Sequence, residues 1–194
     1  IVSVLIVAEG ATSRNAYEAT ALRTLQNAAA ECARTIGTQP PIFGAMPDNR
    51  LDGVDLLDIV KLVEDVVAST RPDIVYTHHC ADLNIDHQRV HQAVVTACRP
   101  LPGAGVRAVY AFETPSSTEW SGAMLPQFQP NRFVDISGTL ETKLAALGAY
   151  EMEMRPFPHA RSFEAVAALA KWRGATVGVD AAEAFMLIRE VIGK

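Results

Sequence analysis

The chain has 194 residues, 49% of them hydrophobic and 20% charged, with a formal net charge of −5. That is enough for one ordinary hydrophobic core and is not the composition of a disordered chain. No stretch gathers basic residues and no apolar run nears the roughly 18 residues that span a bilayer, so nucleic acid, anionic membrane surfaces and a membrane span are all disfavoured.

The opening IVSVLIVA is a near-continuous β-branched run, which predicts a strand covered on both faces. EGATSR breaks it. From Asn15 to Ile36, Ala21, Leu22, Leu25, Ala28, Ala29 and Cys32 recur at helical spacing, with Gly37 as the stop. PIFGAMPDNRLDG reads as a short strand and a polar loop. Residues 55–69 carry Leu56, Ile59, Val60, Val63, Val66 and Val67 on one side of an amphipathic helix that ends before Pro72. DIVYTH is the next buried strand, residues 86–98 a helix, and VRAVYAF a strand. A loop of about twenty residues follows, and loops of that length inside a compact domain are often functional. RFVDIS predicts a strand, with Ser137 as the cap of a helix in GTLETKLAALGAYEME. FPHARS is a loop, FEAVAALAKWRG a helix, and AAEAFMLIREVI fits either a helix or a strand.

The three cysteines, Cys32, Cys80 and Cys98, form neither a disulfide framework nor a CxxC site. Cys80 and Cys98 read as buried small apolar residues. With no leader-like segment at the start, a cytoplasmic protein is expected.

Strands and helices in alternation imply a mostly parallel sheet with helices on both faces, a Rossmann-like three-layer α/β sandwich. Ligands of such sheets sit beyond the carboxyl ends of the strands. That places EGATSR, THHCADLNIDH and ETPSSTEW around one crevice.

The stretch THHCADLNIDHQRVHQA, Thr77 to Ala93, holds four of the five histidines. His87 and His91 are four apart and share a helix face. Asp86 suits the helix start, where a carboxylate meets the positive end of the dipole. His78 and His79 close the strand. Imidazole and carboxylate are zinc's ligands, yet the spacing matches no self-contained motif such as HExxH. A metal site fits this pattern, and so does a helix cap beside satisfied core histidines.

The same stretch resembles the second signature of the PIG-L/LmbE family of zinc-dependent de-N-acetylases, which act on N-acylated amino sugars and their conjugates. AEGATSR, PDNRLD at 47–52, AFETPSSTEW and WRGATVGVDAAEAF resemble segments of that family in the same order, so the resemblance covers nearly the whole chain. It implies one domain over residues 1–194, zinc as the cofactor, and His87 as a zinc ligand. It further implies that Asp86 tunes or orients a histidine, and that Arg50 contacts substrate. Where the family often has a histidine two before that aspartate, this chain has Asn84, which can donate to an oxyanion but cannot deliver a proton. The acid role then falls to His79 or His159. The family's first motif, HPDDE, supplies two zinc ligands and the general base, and this sequence does not contain it. IVSVLIVAEG resembles the family's second strand, so a first strand and its loop, roughly thirty residues, are expected upstream. His87 alone cannot hold a zinc.

For substrate, Arg14 and Arg50 are candidates to bind a sugar hydroxyl or a phosphate. Glu113 and Trp120 lie in the long loop, where Trp120 either stacks on a sugar or packs the loop down. His159 in FPHARS lies near the pocket or at the surface. Arg173 and Glu183 flank GATVG as an ion pair or as part of the site. The implied function is removal of an acetyl group from the nitrogen of a small N-acetylated sugar. The alternative is a non-catalytic sugar- or nucleotide-sugar-binding relative. A generic nucleotide binder is disfavoured, since no GxGxxG follows a strand. The apolar AAEAFMLIREVI is the expected interface of a homo-oligomer.

Overall fold

A computed structural model describes residues 1–10 and 19–193. Arg14, and most of the EGATSR segment with it, lie outside the described residues. The elements are β1 (Leu5–Ala8), α1 (Ala19–Ile36), β2 (Ile42–Met46), α2 (Leu56–Thr70), β3 (Ile74–His78), α3 (Ile85–Ala97), β4 (Ala108–Phe112), β5 (Arg132–Asp135), α4 (Leu140–Gly148), α5 (Phe163–Ala175) and β6 (Ala182–Glu190), with 3-10 turns at Leu51–Gly53 and Thr118–Trp120. They group into two compact units, Ile1–Asp48 with Phe133–Ala184, and Asn49–Arg132 with the chain from Phe185 onward. Among the described residues, no helix is long and apolar enough to cross a membrane.

In the first unit β1 pairs in parallel with β2, Leu5 against Ile42 and Ile6 against Phe43. The register then shifts before Ala8 meets Met46, and Ala45 beside that irregularity has φ 53°. α1 packs on α4, and α4 on α5. Leu140, Ala170 and Ala181 are buried together, with Ile136 and Leu144 against them. Gly174 is required by close approach, because a Cβ there would stand 2.6 Å from the carbonyl oxygen of Val179. Ser162 caps α5, its Oγ accepting the N–H of Ala165 at 3.0 Å. Ser137 does not cap α4. Its hydroxyl donates to Asp135 at 2.5 Å and accepts the N–H of Ala181 at 3.2 Å. Those bonds make a local turn, and the helix begins only at Leu140.

In the second unit β3 pairs in parallel with β4, from Ile74 opposite Ala108 to His78 opposite Phe112. β4 pairs on its other side with the later part of β6, antiparallel, Phe112 opposite Phe185 and Ala108 opposite Glu190. Flanked on both sides, β4 is buried from Ala108 to Ala111, as a continuous apolar run requires. α2 packs on α3 and α3 on β3. Ile59, Val60 and Val63 of α2 are buried, as are Val90, Ala93 and Val94 of α3.

The protein is therefore a mixed α/β fold whose sheets are partly parallel and partly antiparallel, where the alternation predicted a mostly parallel one. Two helices, α4 and α5, stand in succession between β5 and β6, which breaks the strand–helix alternation, and β6 pairs antiparallel with β4. The ambiguous AAEAFMLIREVI is that strand.

Candidate functional site

Parallel pairing brings the ends of β3 and β4 level, with His78 opposite Phe112. The segments that follow them, residues 79–84 and 113–121, leave from the same edge of the sheet. Carboxyl ends of parallel strands are where α/β folds bind ligands.

Four histidines, His78, His79, His87 and His91, sit there. The rings of His78 and His87 stack, centroids 4.0 Å apart and planes 16° apart. His78 also tilts against Phe112 at 4.8 Å. Its Nδ1 is buried without a hydrogen bond among the described residues. Burial, and after it the charge of His87, push the His78 ring down to about 3, so it is neutral at neutral pH. His91 donates from Nδ1 to the carbonyl of His78 at 2.8 Å, and burial holds its pKa below the ordinary histidine value. His91 thus buttresses the strand end as a satisfied side chain.

Asp82 is fully buried. Its carboxylate accepts the hydroxyls of Ser117 and, at 2.7 Å, Thr118, and the backbone N–H of Asn84 at 2.9 Å. Nδ1 of His87 lies 3.0 Å from Oδ1 of the same carboxylate, without the alignment of a full hydrogen bond. Ser117 and Asn84 already occupy Oδ1, which leaves the imidazole an oblique approach. Burial would raise the carboxyl's pKa. The donors, His87 foremost, outweigh it and hold Asp82 well below the usual carboxylate range.

Asp86 was expected to orient a histidine, and it binds backbone instead. Its carboxylate accepts the N–H of Asn49 at 2.6 Å and of Leu51 at 2.9 Å. Adjacent residues on a helix do not face each other, so Asp86 is poorly placed to serve His87, whereas Asp82 in the preceding turn folds back onto it. Asp86 clamps residues 49–51 to the start of α3. Arg50 lies between the two clamped amides with its side chain exposed. Asn84, expected to assist an oxyanion, caps α3. Its Oδ1 accepts the N–H of Asp86 at 2.8 Å and its Nδ2 donates to Asn49 Oδ1 at 3.1 Å. His79, expected as an acid, is buried. Its Nε2 donates to the carbonyl of Pro126 at 2.9 Å and its ring meets Phe128 edge-on at 5.6 Å. It pins the long loop to the strand end.

That loop is ordered by its own side chains. The carboxylate of Glu119 accepts the N–H of Ser116 at 2.6 Å and of Ser117 at 3.2 Å, and holds Ser116 at φ 66°. Trp120 ends the 3-10 turn and is 53% exposed. Glu113 is half-buried just after β4. His159 belongs to the first unit, where its Nδ1 accepts the N–H of Arg161 at 3.0 Å, and Arg161 pairs with Glu153 at 2.9 Å. Glu183 pairs with Lys143. Cys98 is buried as expected, but Cys80 is exposed. The first unit also has an apolar cleft of about 310 Å³, lined by Ile6, Ala8, Leu22, Leu25, Phe43 and Tyr150 among others. It contains none of the expected site residues.

Thr118 is the site residue that sequence reasoning missed, and Asp82, which the sequence offers as a further metal ligand, stands behind the His87 ring instead. The available signal was a short polar turn between a strand end and a helix, where a buried aspartate has donors on every side. Zinc needs three or four protein ligands. Among the described residues, no group of three histidine, cysteine, aspartate or glutamate side chains is placed to hold a metal. His87 fits as one ligand, since zinc-bound histidines characteristically turn their other nitrogen to a carboxylate. The rest of a zinc set is not among the described residues.

A family model described as PIG-L: GlcNAc-PI de-N-acetylase matches residues 1–98, which include the clamp at 49–51 and the histidine cluster. The Escherichia coli K12 protein described as uncharacterized deacetylase YaiS is 35% identical over 100 residues, 48% of this chain and 48% of that protein. The match thus spans about half the length of this curated relative. Among solved structures, the N,N'-diacetylchitobiose deacetylase from Pyrococcus horikoshii is similar at 16% identity and TM-score 0.74, over 96% of this chain and 72% of that one. GalB, the 4-carboxy-2-hydroxymuconate hydratase from Pseudomonas putida KT2440, is similar at 19% identity and TM-score 0.74, over 99% and 85%. At such identities the likeness is one of fold, and by their descriptions these two proteins run different chemistries on it. The match across half of the sequence, through the segments that build the cluster at the end of β3, makes this chain a member of the PIG-L de-N-acetylase family.

Proposed function

We propose that this protein is a zinc-dependent hydrolase that removes an acetyl group from the nitrogen of an amino sugar or sugar conjugate. The observation that carries the reading is His87, held against a buried carboxylate at the carboxyl end of β3, inside the segment that the family model matches. Zinc, when bound, would activate water and polarise the amide carbonyl. His87 would be one of its ligands, and at least two more would come from outside the described residues.

The chain's own residues prepare the substrate side. Asp86 fixes the backbone on both sides of Arg50, and the exposed guanidinium is free to meet a sugar hydroxyl or a phosphate. Trp120 offers a half-exposed ring for a sugar face, and Glu113 an acceptor at the end of β4. Arg14 is a further proposed contact. Asn84 and His79 serve by holding the two loops rather than by moving protons. We read the whole as one Rossmann-like, three-layer domain acting on a small cytoplasmic substrate, with the β6 segment as a surface for self-association.

The test is turnover. Full-length, zinc-supplemented protein is incubated with N-acetylated hexosamines that are free, phosphate-linked or lipid-linked. Acetate and free amine should appear in equal amounts with at least one of them and disappear in His87→Ala. Sugar binding with no acetate from any of them would replace the enzyme with a sugar-binding relative.

A further inference from the structure

We infer that Asp82 is the positioning residue of this site: it fixes His87 as the tautomer protonated on Nδ1, and so leaves Nε2 with its lone pair for a ligand. An ionised carboxylate only accepts, at about four lone-pair positions. Three of Asp82's contacts are donors by chemistry. The amide of Asn84 can only donate. The hydroxyl of Thr118 already accepts the N–H of Thr114 at 2.7 Å, which leaves its proton for Asp82. The hydroxyl of Ser117 points at the same carboxylate.

The fourth contact is Nδ1 of His87, at 3.0 Å. An unprotonated Nδ1 there would set a lone pair against a fully buried anion. A protonated Nδ1 turns the same contact into attraction, and in a protein interior that difference decides the tautomer. A neutral ring protonated on Nδ1 carries its lone pair on Nε2. His78 stacks on the face of the ring, with the planes 16° apart, so it does not cover the in-plane lone pair.

The arrangement also ties two segments together. Ser117 and Thr118 come from the loop after β4, and His87 from the first turn of α3. One carboxylate therefore sets both the orientation of the imidazole and the seat of the loop that carries Trp120. The inference deepens the reading of His87 as a ligand and rests on that reading only for the use made of Nε2.

The other histidines supply controls. Nε2 of His79 faces a carbonyl and must carry a proton. Nδ1 of His159 faces a backbone N–H and must not. Nδ1 of His91 faces a carbonyl and must. The experiment is ¹H–¹⁵N correlation of the ring nitrogens in full-length, metal-stripped, ¹⁵N-histidine-labelled protein at a pH where the rings are neutral, with His87 assigned by its loss in His87→Phe. His87 should show the Nδ1–H pattern, like His91 and opposite to His79 and His159. In Asp82→Ala, which removes the acceptor facing Nδ1, it should shift toward the Nε2–H form, while Ser117→Ala should leave it unchanged. An Nε2–H pattern for His87 in the wild type overturns the inference, even if Asp82→Ala fails to fold, and so does a switch in Ser117→Ala. None of these readouts needs zinc or turnover. A wrong tautomer leaves the deacetylase proposal standing, and absent turnover leaves the tautomer standing.

Discussion

The turn after β3 and the loop before α5 both fix a histidine through Nδ1 and both feed a helix through a capping side chain. They differ in what holds the ring. In the first, Nδ1 of His87 faces the buried carboxylate of Asp82, which also takes two hydroxyls from another loop. In the second, Nδ1 of His159 accepts the backbone N–H of Arg161 only two residues on, and Arg161 pairs with nearby Glu153. The first ring is held by charge and by residues distant in sequence. The second belongs to a local turn. The partner of a histidine, more than the histidine itself, separates a candidate ligand from turn chemistry, and it is the reason His87 is placed at the centre of the proposed reaction.

That contrast can be broken by substitution. His87→Ala should take acetate release below detection, whereas His159→Ala should lower it by no more than about tenfold. Equal losses would erase the distinction. Asp82→Asn should cost roughly 10–100-fold in metal affinity or turnover, the usual effect of removing a carboxylate behind a metal-binding histidine. Activity unchanged in a folded Asp82→Asn protein would count against it.

Acid sharpens the comparison, because the charge-held ring has titrating neighbours. His78 is pushed down to about 3 in the fold, against about 6.5 when unfolded. Below pH 6.5 the unfolded chain takes up a proton that the fold refuses. The stability this group contributes is therefore complete above pH 6.5 and is lost as pH falls toward 3, by at most about 3 kcal/mol at pH 4. Asp82 is shifted the same way from a lower start. Its contribution is present above about pH 4 and is lost as pH falls further. Urea denaturation across this range should show the decline, and His78→Phe should flatten the part between pH 6.5 and 4. A wild type equally stable at pH 7 and pH 4 would contradict the burial of a neutral ring.

Smaller effects concern the clamp and the caps. Asp86→Ala leaves the amides of Asn49 and Leu51 without their acceptor. It should cost about 2–4 kcal/mol of stability and raise KM more than it lowers kcat, because it frees the backbone around Arg50. A change confined to kcat would move Asp86 into the chemistry. Asn84→Ala and Ser162→Ala remove the caps of α3 and α5 and should each cost about 1 kcal/mol. The first should also disturb activity, through Asn49, and the second should not.

The elements that could be read from the sequence are those with a period. α2 was visible because six apolar side chains recur on one side, and β3 because DIVYTH is a short apolar run between turn signals. AAEAFMLIREVI has neither period clearly, and its antiparallel pairing with β4 joins residues far apart in the chain, which no single segment reveals. The site was legible as a place, because four histidines fall within Thr77–Ala93. Its internal contacts were not. Asp86 drew attention by standing next to His87, although neighbours on a helix point apart. Asp82 is five residues before His87, and only the fold of the turn closes that gap.

The most direct measurement is acetate release by folded, zinc-supplemented full-length protein on a panel of N-acetylated hexosamines, wild type beside His87→Ala and His159→Ala. The expected result is release by the wild type, none by His87→Ala, and substantial release by His159→Ala. Undiminished release by His87→Ala, with loss in His159→Ala, would place the reaction at the other loop and contradict the site at the end of β3.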